Sequence, residues 1–139
     1  MIITEPLPPK DEEFVALKSG LNKYNESFTG ELLREKVSTF LKSQSGAIVG
    51  GVLGEIKWGW LSIEGLWIDE SFRSDGWGSK LLATLEQYAI SKSIINFRLE
   101  TTDFQALGFY TKLGYKIYGE LSDMPPGYKS YFLQKQSKL

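Results

Sequence analysis

The chain has 139 residues, enough for one domain with a full apolar core and no covalent staples. Its net charge of -1 gives no electrostatic reason to expect nucleic acid as a partner. It has no cysteine and no histidine, which excludes disulfides, thiolate metal sites, cysteine nucleophiles and histidine bases.

Acid–base chemistry must therefore come from Glu, Asp, Tyr, Lys or water. Met1 to Pro6 lacks a basic region and a long apolar run, so it does not read as a signal peptide. No stretch reaches the roughly 18 apolar residues of a membrane span. The expectation is a cytoplasmic, microbial protein with neither a nucleic-acid nor a membrane partner.

Pro6, Pro8 and Pro9 make the start extended. Phe14, Leu17, Leu21 and Tyr24 then recur at helical spacing, behind Asp11 and Glu12, and predict a helix over 10–24. Residues 25–30 read as a turn-rich break and 31–36 as a short second helix. Val37, Thr39 and Leu41 alternate, giving a strand over 36–42. After a turn at 43–46, residues 47–58 form a second strand. Its glycines, Gly50, Gly51 and Gly54, suggest a bulge or close backbone approach. Gly59 turns the chain into a third strand, 60–69, completing an antiparallel meander.

Arg73 to Ser79 is a tight loop with Gly76 and Gly78, and it feeds a helix over 78–91 whose face carries Leu81, Leu82, Leu85, Tyr88 and Ala89. A helix N-terminus has unpartnered N–H groups and partial positive charge, and glycines there with φ > 0 let an oxygen approach the backbone. The loop reads either as a phosphate cradle or as a plain strand-to-helix connection. It lacks the spacing of the P-loop and of the dinucleotide fingerprint. Ile95, Phe97, Leu99 and Thr101 alternate in a fourth strand, so the third and fourth strands are parallel neighbours across a βαβ crossover. Asp103 reads as the N-cap of a helix bearing Ala106, Phe109, Tyr110 and Leu113, with Gly114 as its C′ residue. Strands over 115–120 and 130–135 close the chain around a loop with Pro125, Pro126 and Gly127.

This order, with R-x-x-G-x-G at Arg73, Gly76 and Gly78, resembles the GNAT superfamily of N-acetyltransferases. The run from Leu99 to Tyr115, with Phe109-Tyr110-Thr111-Lys112-Leu113-Gly114-Tyr115 at its end, resembles the family's second signature. The tail from Asp123 to Leu133 is similar to the closing hairpin of small bacterial members. The resemblance covers nearly the whole chain. It implies a single domain, 1–139, of α/β (α+β) class with a central mixed, mostly antiparallel sheet, a βαβ crossover and flanking helices.

It also implies a function: transfer of an acetyl group from acetyl-CoA, a co-substrate, to a primary amine of a small molecule or peptide, without a metal. The pantetheine arm would lie between the third and fourth strands, on main-chain groups of Leu66 and Ile68, where an N–H could also stabilise the thioester oxyanion. The pyrophosphate would sit on the loop Arg73, Ser74, Asp75, Gly76, Trp77, Gly78 and Ser79. Asp103 and Lys112 fall at further cofactor-binding positions. Tyr110 matches the tyrosine that protonates the leaving thiolate, though it also reads as a core aromatic.

Two departures stand out. Asp75 occupies a position where Lys or Arg is common, beside Ser74 where Gly is common, and Asp103 occupies the position of an Asn. A carboxylate near a phosphate is repulsive and cannot donate as an amide does. The base is open between Glu64 and ordered water; in its apolar strand Glu64 reads either as a cleft-facing, partly buried carboxylate with a raised pKa or as a residue of the solvent face. The acceptor region offers Tyr24, Glu26, Trp58, Trp60, Trp67, Tyr118 and Tyr128, which suit a cationic amine. A homodimer through the C-terminal strands is expected. The alternatives are an acyl-CoA-binding regulatory or interaction module without turnover, and an α+β domain without a CoA site.

Overall fold

The computed structural model describes residues 1–138. The chain divides into two compact units, Met1–Leu32 and Leu33 onward. The first unit is an extended stretch followed by helix α1, Asp11–Thr29. Asp11, Glu12 and Glu13 fill its first turn, where the helix dipole favours negative charge, and Glu13 accepts from the Lys10 N–H at 2.8 Å. The helix runs five residues past the predicted end. Ser27 and Thr29 do not break it, because their hydroxyls donate back to the carbonyls of Tyr24 and Asn25. Gly30, at φ 71°, terminates it.

The second unit holds β1 (Glu35–Lys42), β2 (Ile48–Lys57), β3 (Trp60–Ile68), α2 (Trp77–Ser91), β4 (Asn96–Thr102), α3 (Leu107–Lys112), β5 (Lys116–Ser122) and β6 (Lys129–Gln136). A short 3-10 turn, Glu70–Phe72, follows β3. The predicted second helix over 31–36 does not form. Glu35 and Lys36 pair with Ile56 and Glu55, and sheet hydrogen bonds outweigh the weak helical signal there. The six strands form one sheet in the order β1-β2-β3-β4-β6-β5. Among the described residues only the β3–β4 pair is parallel, as the crossover requires, and β6 inserts between β4 and β5.

One irregularity sets the rest. Across β2 and β3, Ile63 faces Gly54 and Gly65 faces Leu53, so Glu64 is an extra, unpaired residue. The side-chain phase shifts accordingly: Leu61 and Ile63 are buried before it, and Leu66 and Ile68 turn inward after it. Gly54, opposite the bulge, allows the close approach, since a Cβ there would lie 2.8 Å from the Ser62 carbonyl oxygen.

Helix α2 packs on β1 to β3 through Leu81, Leu82, Leu85 and Ala89. Tyr88 lies at the edge of this face, with its hydroxyl donating to Glu35. The buried position goes instead to Glu86, which sequence periodicity did not mark. Its carboxylate accepts from the Tyr115 hydroxyl at 2.6 Å and from Lys135 Nζ at 3.1 Å, fastening α2 to the start of β5 and to β6. A buried carboxylate is tolerated because both partners meet it.

Two outcomes follow for stability. Glu86→Ala leaves the Tyr115 hydroxyl buried without an acceptor and is expected to cost about 2–3 kcal/mol in equilibrium urea unfolding. Burial and the Glu86 bond raise the Tyr115 pKa above its ordinary 10, and burial raises that of Tyr110. The unfolded chain therefore loses these protons first. Stability present at neutral pH is expected to decline as pH rises past about 10, and less steeply in Tyr115→Phe.

Candidate functional site

The parallel β3–β4 ladder runs from Trp60 opposite Asn96 to Ile63 opposite Leu99, and stops there. The next residue of β3 is the bulged Glu64. A bulge bends and twists its strand, and beyond it β3 leaves β4. The gap is the mouth of a cavity of about 760 Å³, walled by Glu64 to Ile68 on one side and by Leu99, Glu100 and Thr101 on the other.

The main chain of β3 faces this gap in a definite way. The Asp69 N–H donates to the Val49 carbonyl at 2.8 Å, toward β2. Strand alternation then turns the N–H and C=O groups of Ile68 and Leu66 the other way, into the gap. The Ile68 carbonyl is already used: Arg73 Nε donates to it at 2.9 Å and so ties the loop to the strand end. The Leu66 groups have no β4 partner in the ladder.

The loop and the first turn of α2 close one part of the cavity, with Arg73, Ser74, Gly76, Trp77, Gly78 and Ser79 in its lining. Gly76 caps α2 in the left-handed conformation, φ 79°, and no side chain caps the helix. The Lys80 N–H is bonded to the Gly76 carbonyl at 3.2 Å. The N–H groups of Trp77, Gly78 and Ser79 precede that bond and are the orphan donors of the helix. No acidic side chain sits in the first turn, and Lys80 Nζ lies 4.5 Å from the Trp77 ring centroid. Free N–H donors and the positive end of the dipole are the features by which a helix N-terminus can receive an anion. Gly78 corrects one expectation. It is helical, and it is small because the Phe109 ring would lie 3.2 Å from its Cβ. Besides Gly76, Ser74 of this loop has a positive φ, 74°, a conformation that disfavours residues other than Gly or Asn.

Opposite lies α3. Tyr110 lines the cavity, is buried, and is held edge-on by Phe109 at 5.1 Å and Tyr115 at 5.9 Å between ring centroids. Burial raises the pKa of its hydroxyl above the ordinary value.

The structure brings Glu64, Leu66, Ile68, Arg73, Ser74, Gly76, Trp77, Gly78, Ser79 and Tyr110 to one cavity. Glu64 is exposed on the bulge rather than partly buried. Asp75 and Lys112 are exposed and lie outside the lining. So does Asp103, which is not an N-cap: α3 starts at Leu107, and the Asp103 carboxylate accepts from the Lys129 N–H at 3.2 Å. Trp67 lines the cavity, whereas Trp58, Trp60, Tyr118 and Tyr128 do not; Tyr128 packs behind Phe104, 4.9 Å between centroids. Glu100, Phe104, Gln105 and Phe109 were not singled out as site residues from sequence. Glu100 could have been found, since it follows Leu99 on the parallel partner of Glu64.

Residues 5–115 match the model of the acetyltransferase (GNAT) family. The chain belongs to the GNAT family. By class it is an acetyl-CoA-dependent N-acetyltransferase. It is 38% identical over 103 residues to the blasticidin-S acetyltransferase of Streptomyces morookaense, covering 73% of this chain and 76% of that protein. The crystal structure of an acetyltransferase from Bacillus cereus superimposes with a TM-score of 0.86 at 35% identity, over 96% of this chain and 98% of the other. A proposed streptothricin acetyltransferase from Bacillus anthracis, solved in complex with acetyl coenzyme A, shares the fold at a TM-score of 0.67 and 21% identity, over 74% of this chain and 64% of that one.

Ser74→Gly is expected to raise stability by about 0.5–1 kcal/mol, read as a higher urea midpoint with an unchanged slope. Gly76→Ala, which meets open space but must hold φ 79°, is expected to lower both stability and coenzyme A affinity.

Proposed function

We propose that this single GNAT domain, 1–139, acetylates a primary amine of a small cationic molecule or peptide, with acetyl-CoA as co-substrate and no metal. The observation that carries this reading is the β3–β4 gap. It joins unpartnered strand groups, an uncapped helix N-terminus and a buried tyrosine in one cavity. The residues fit the acyl donor. Trp77, Gly78 and Ser79 N–H groups would hold its pyrophosphate and Leu66 its pantetheine arm. A relative named for acetylating blasticidin S supports a small-molecule acceptor.

The chain's own groups supply the steps. The amine attacks the thioester carbonyl, and the Leu66 N–H stabilises the oxyanion. Tyr110 donates its proton to the departing thiolate. Glu64, directly or through water, takes the proton the amine loses. Glu64 and Glu100 stand at adjacent positions of parallel strands, where the ladder opens, and neither is ion-paired among the described residues. Two like charges in one cavity favour a cationic acceptor.

Asp75 and Asp103, the two departures from the family pattern that weigh toward a module without turnover, both lie outside the cavity lining. Among the described residues no helix is long and apolar enough to cross a membrane. Cytoplasmic location, and a homodimer through β5 and β6, belong to the same reading; sedimentation tests the latter.

Tyr110→Phe is expected to lower kcat by 10²- to 10⁴-fold while coenzyme A affinity holds, roughly the contribution of general acid catalysis. A loss below tenfold would assign the thiolate's proton to water. Joint Glu64→Gln and Glu100→Gln substitution is expected to raise the amine KM and leave the acetyl-CoA KM unchanged.

A further inference from the structure

The proposed general acid is placed by packing alone. Among the described residues no hydrogen bond reaches the Tyr110 hydroxyl, and its ring is held edge-on between Phe109 and Tyr115. Helix α2 fixes both neighbours. The Phe109 ring lies against Gly78, where a Cβ would come within 3.2 Å of it. The Tyr115 hydroxyl donates to a Glu86 carboxylate oxygen at 2.6 Å, and Lys135 Nζ donates to both oxygens, at 3.1 and 3.3 Å. Lys135 Nζ also stands 5.4 Å from the centre of the Tyr115 ring. Glu86 and Tyr115 are both buried, so the contact is shielded from water.

Edge-on contacts between rings tolerate a range of tilts. A hydroxyl bonded to a carboxylate that is itself ion-paired gives its ring a fixed direction, because charge-assisted bonds are short and strong. Tyr115 therefore meets Tyr110 in one orientation, and its N–H donates to the Tyr110 carbonyl at 3.1 Å. Resting on the assignment of Tyr110 as general acid, we propose that Glu86 is a positioning residue for that acid: by holding Tyr115 it holds the ring that aims the Tyr110 hydroxyl into the cavity. Glu86 itself does not line the cavity. The helix proposed to receive the acyl donor's phosphates at its N-terminus also sets, about two turns beyond Gly78, where the thiolate's proton stands.

Kinetics in two backgrounds test this, with acetyl-CoA and 1,4-diaminobutane as substrates and released thiol as the readout. Glu86→Ala is expected to lower kcat roughly tenfold, with the acetyl-CoA KM within about twofold. Glu86→Gln keeps an oxygen that accepts from Tyr115 but loses the ion pair with Lys135. It is expected to recover most of the kcat while its melting temperature stays low, so that kcat follows the Tyr115 bond and not stability. In a Tyr110→Phe background, Glu86→Ala is expected to leave kcat within about twofold, because the group it positions is gone. If Glu86→Ala does not fold, Tyr115→Phe, which removes the hydroxyl and keeps the ring, carries the same comparison. A loss that persists without the Tyr110 hydroxyl, or a kcat that does not respond in the wild-type background, overturns the proposal. A Tyr110→Phe variant with full kcat removes the general-acid reading and this inference together. Absence of turnover with the diamine bears on the transferase reading alone, and the placement is then read directly. The Tyr110 ring signal of ¹³C-tyrosine-labelled protein is expected to shift in Glu86→Ala and to return in Glu86→Gln; an unmoved signal overturns the proposal.

Discussion

A strand with one residue too many organises this molecule. Glu64 has no partner across the β2–β3 ladder, and the parallel β3–β4 ladder ends one residue before it. The groups proposed to hold the acyl donor and to protonate its thiolate all follow that point in the chain. Had the pairing continued, Leu66 would spend its main-chain groups on β4, and the space between the strands would be closed. The bulge costs a pair of sheet hydrogen bonds and returns a gap whose walls are polar backbone. A guest that offers alternating donors and acceptors, as an amide-bearing arm does, can complete the unfinished edge.

The second constraint is where α2 begins. A helix without an N-cap carries unmet donors, which a side chain such as Ser or Asp would usually satisfy. Here Gly76 occupies the cap and contributes only its backbone turn. The cost is tolerable because α2 is fastened elsewhere, by its apolar face and by the Glu86–Tyr115–Lys135 contact. That contact also steadies the ring on which Tyr110 rests. Packing on one side of the helix thus frees its end for a ligand.

Much of this was legible in the residues. The apolar stripe on α2 and the alternating strands led to the crossover, and the glycines of β2 to a bulge or close backbone approach; the close approach is at Gly54, while the extra residue, Glu64, lies on β3. What local patterns missed was decided by tertiary pairing. Glu35 and Lys36 read as helix until β2 is placed beside them. Asp103 has the chemistry of a cap, yet the Lys129 N–H claims it from across the sheet. Glu86 breaks the apolar rule because two partners distant in sequence neutralise it. Gln105 lay inside the signature run unmarked, because its bonds to Thr101 and Thr102 depend on how the chain turns at the end of β4.

The most direct test of the account is an amide-resolved NMR titration of the protein with coenzyme A. Saturable shifts are predicted, largest at Trp77, Gly78 and Ser79 and at Leu66 on the open edge of β3. Absence of binding at millimolar coenzyme A, or shifts that leave these amides untouched, would contradict the claim that the β3–β4 gap and the α2 N-terminus form one acyl-CoA site.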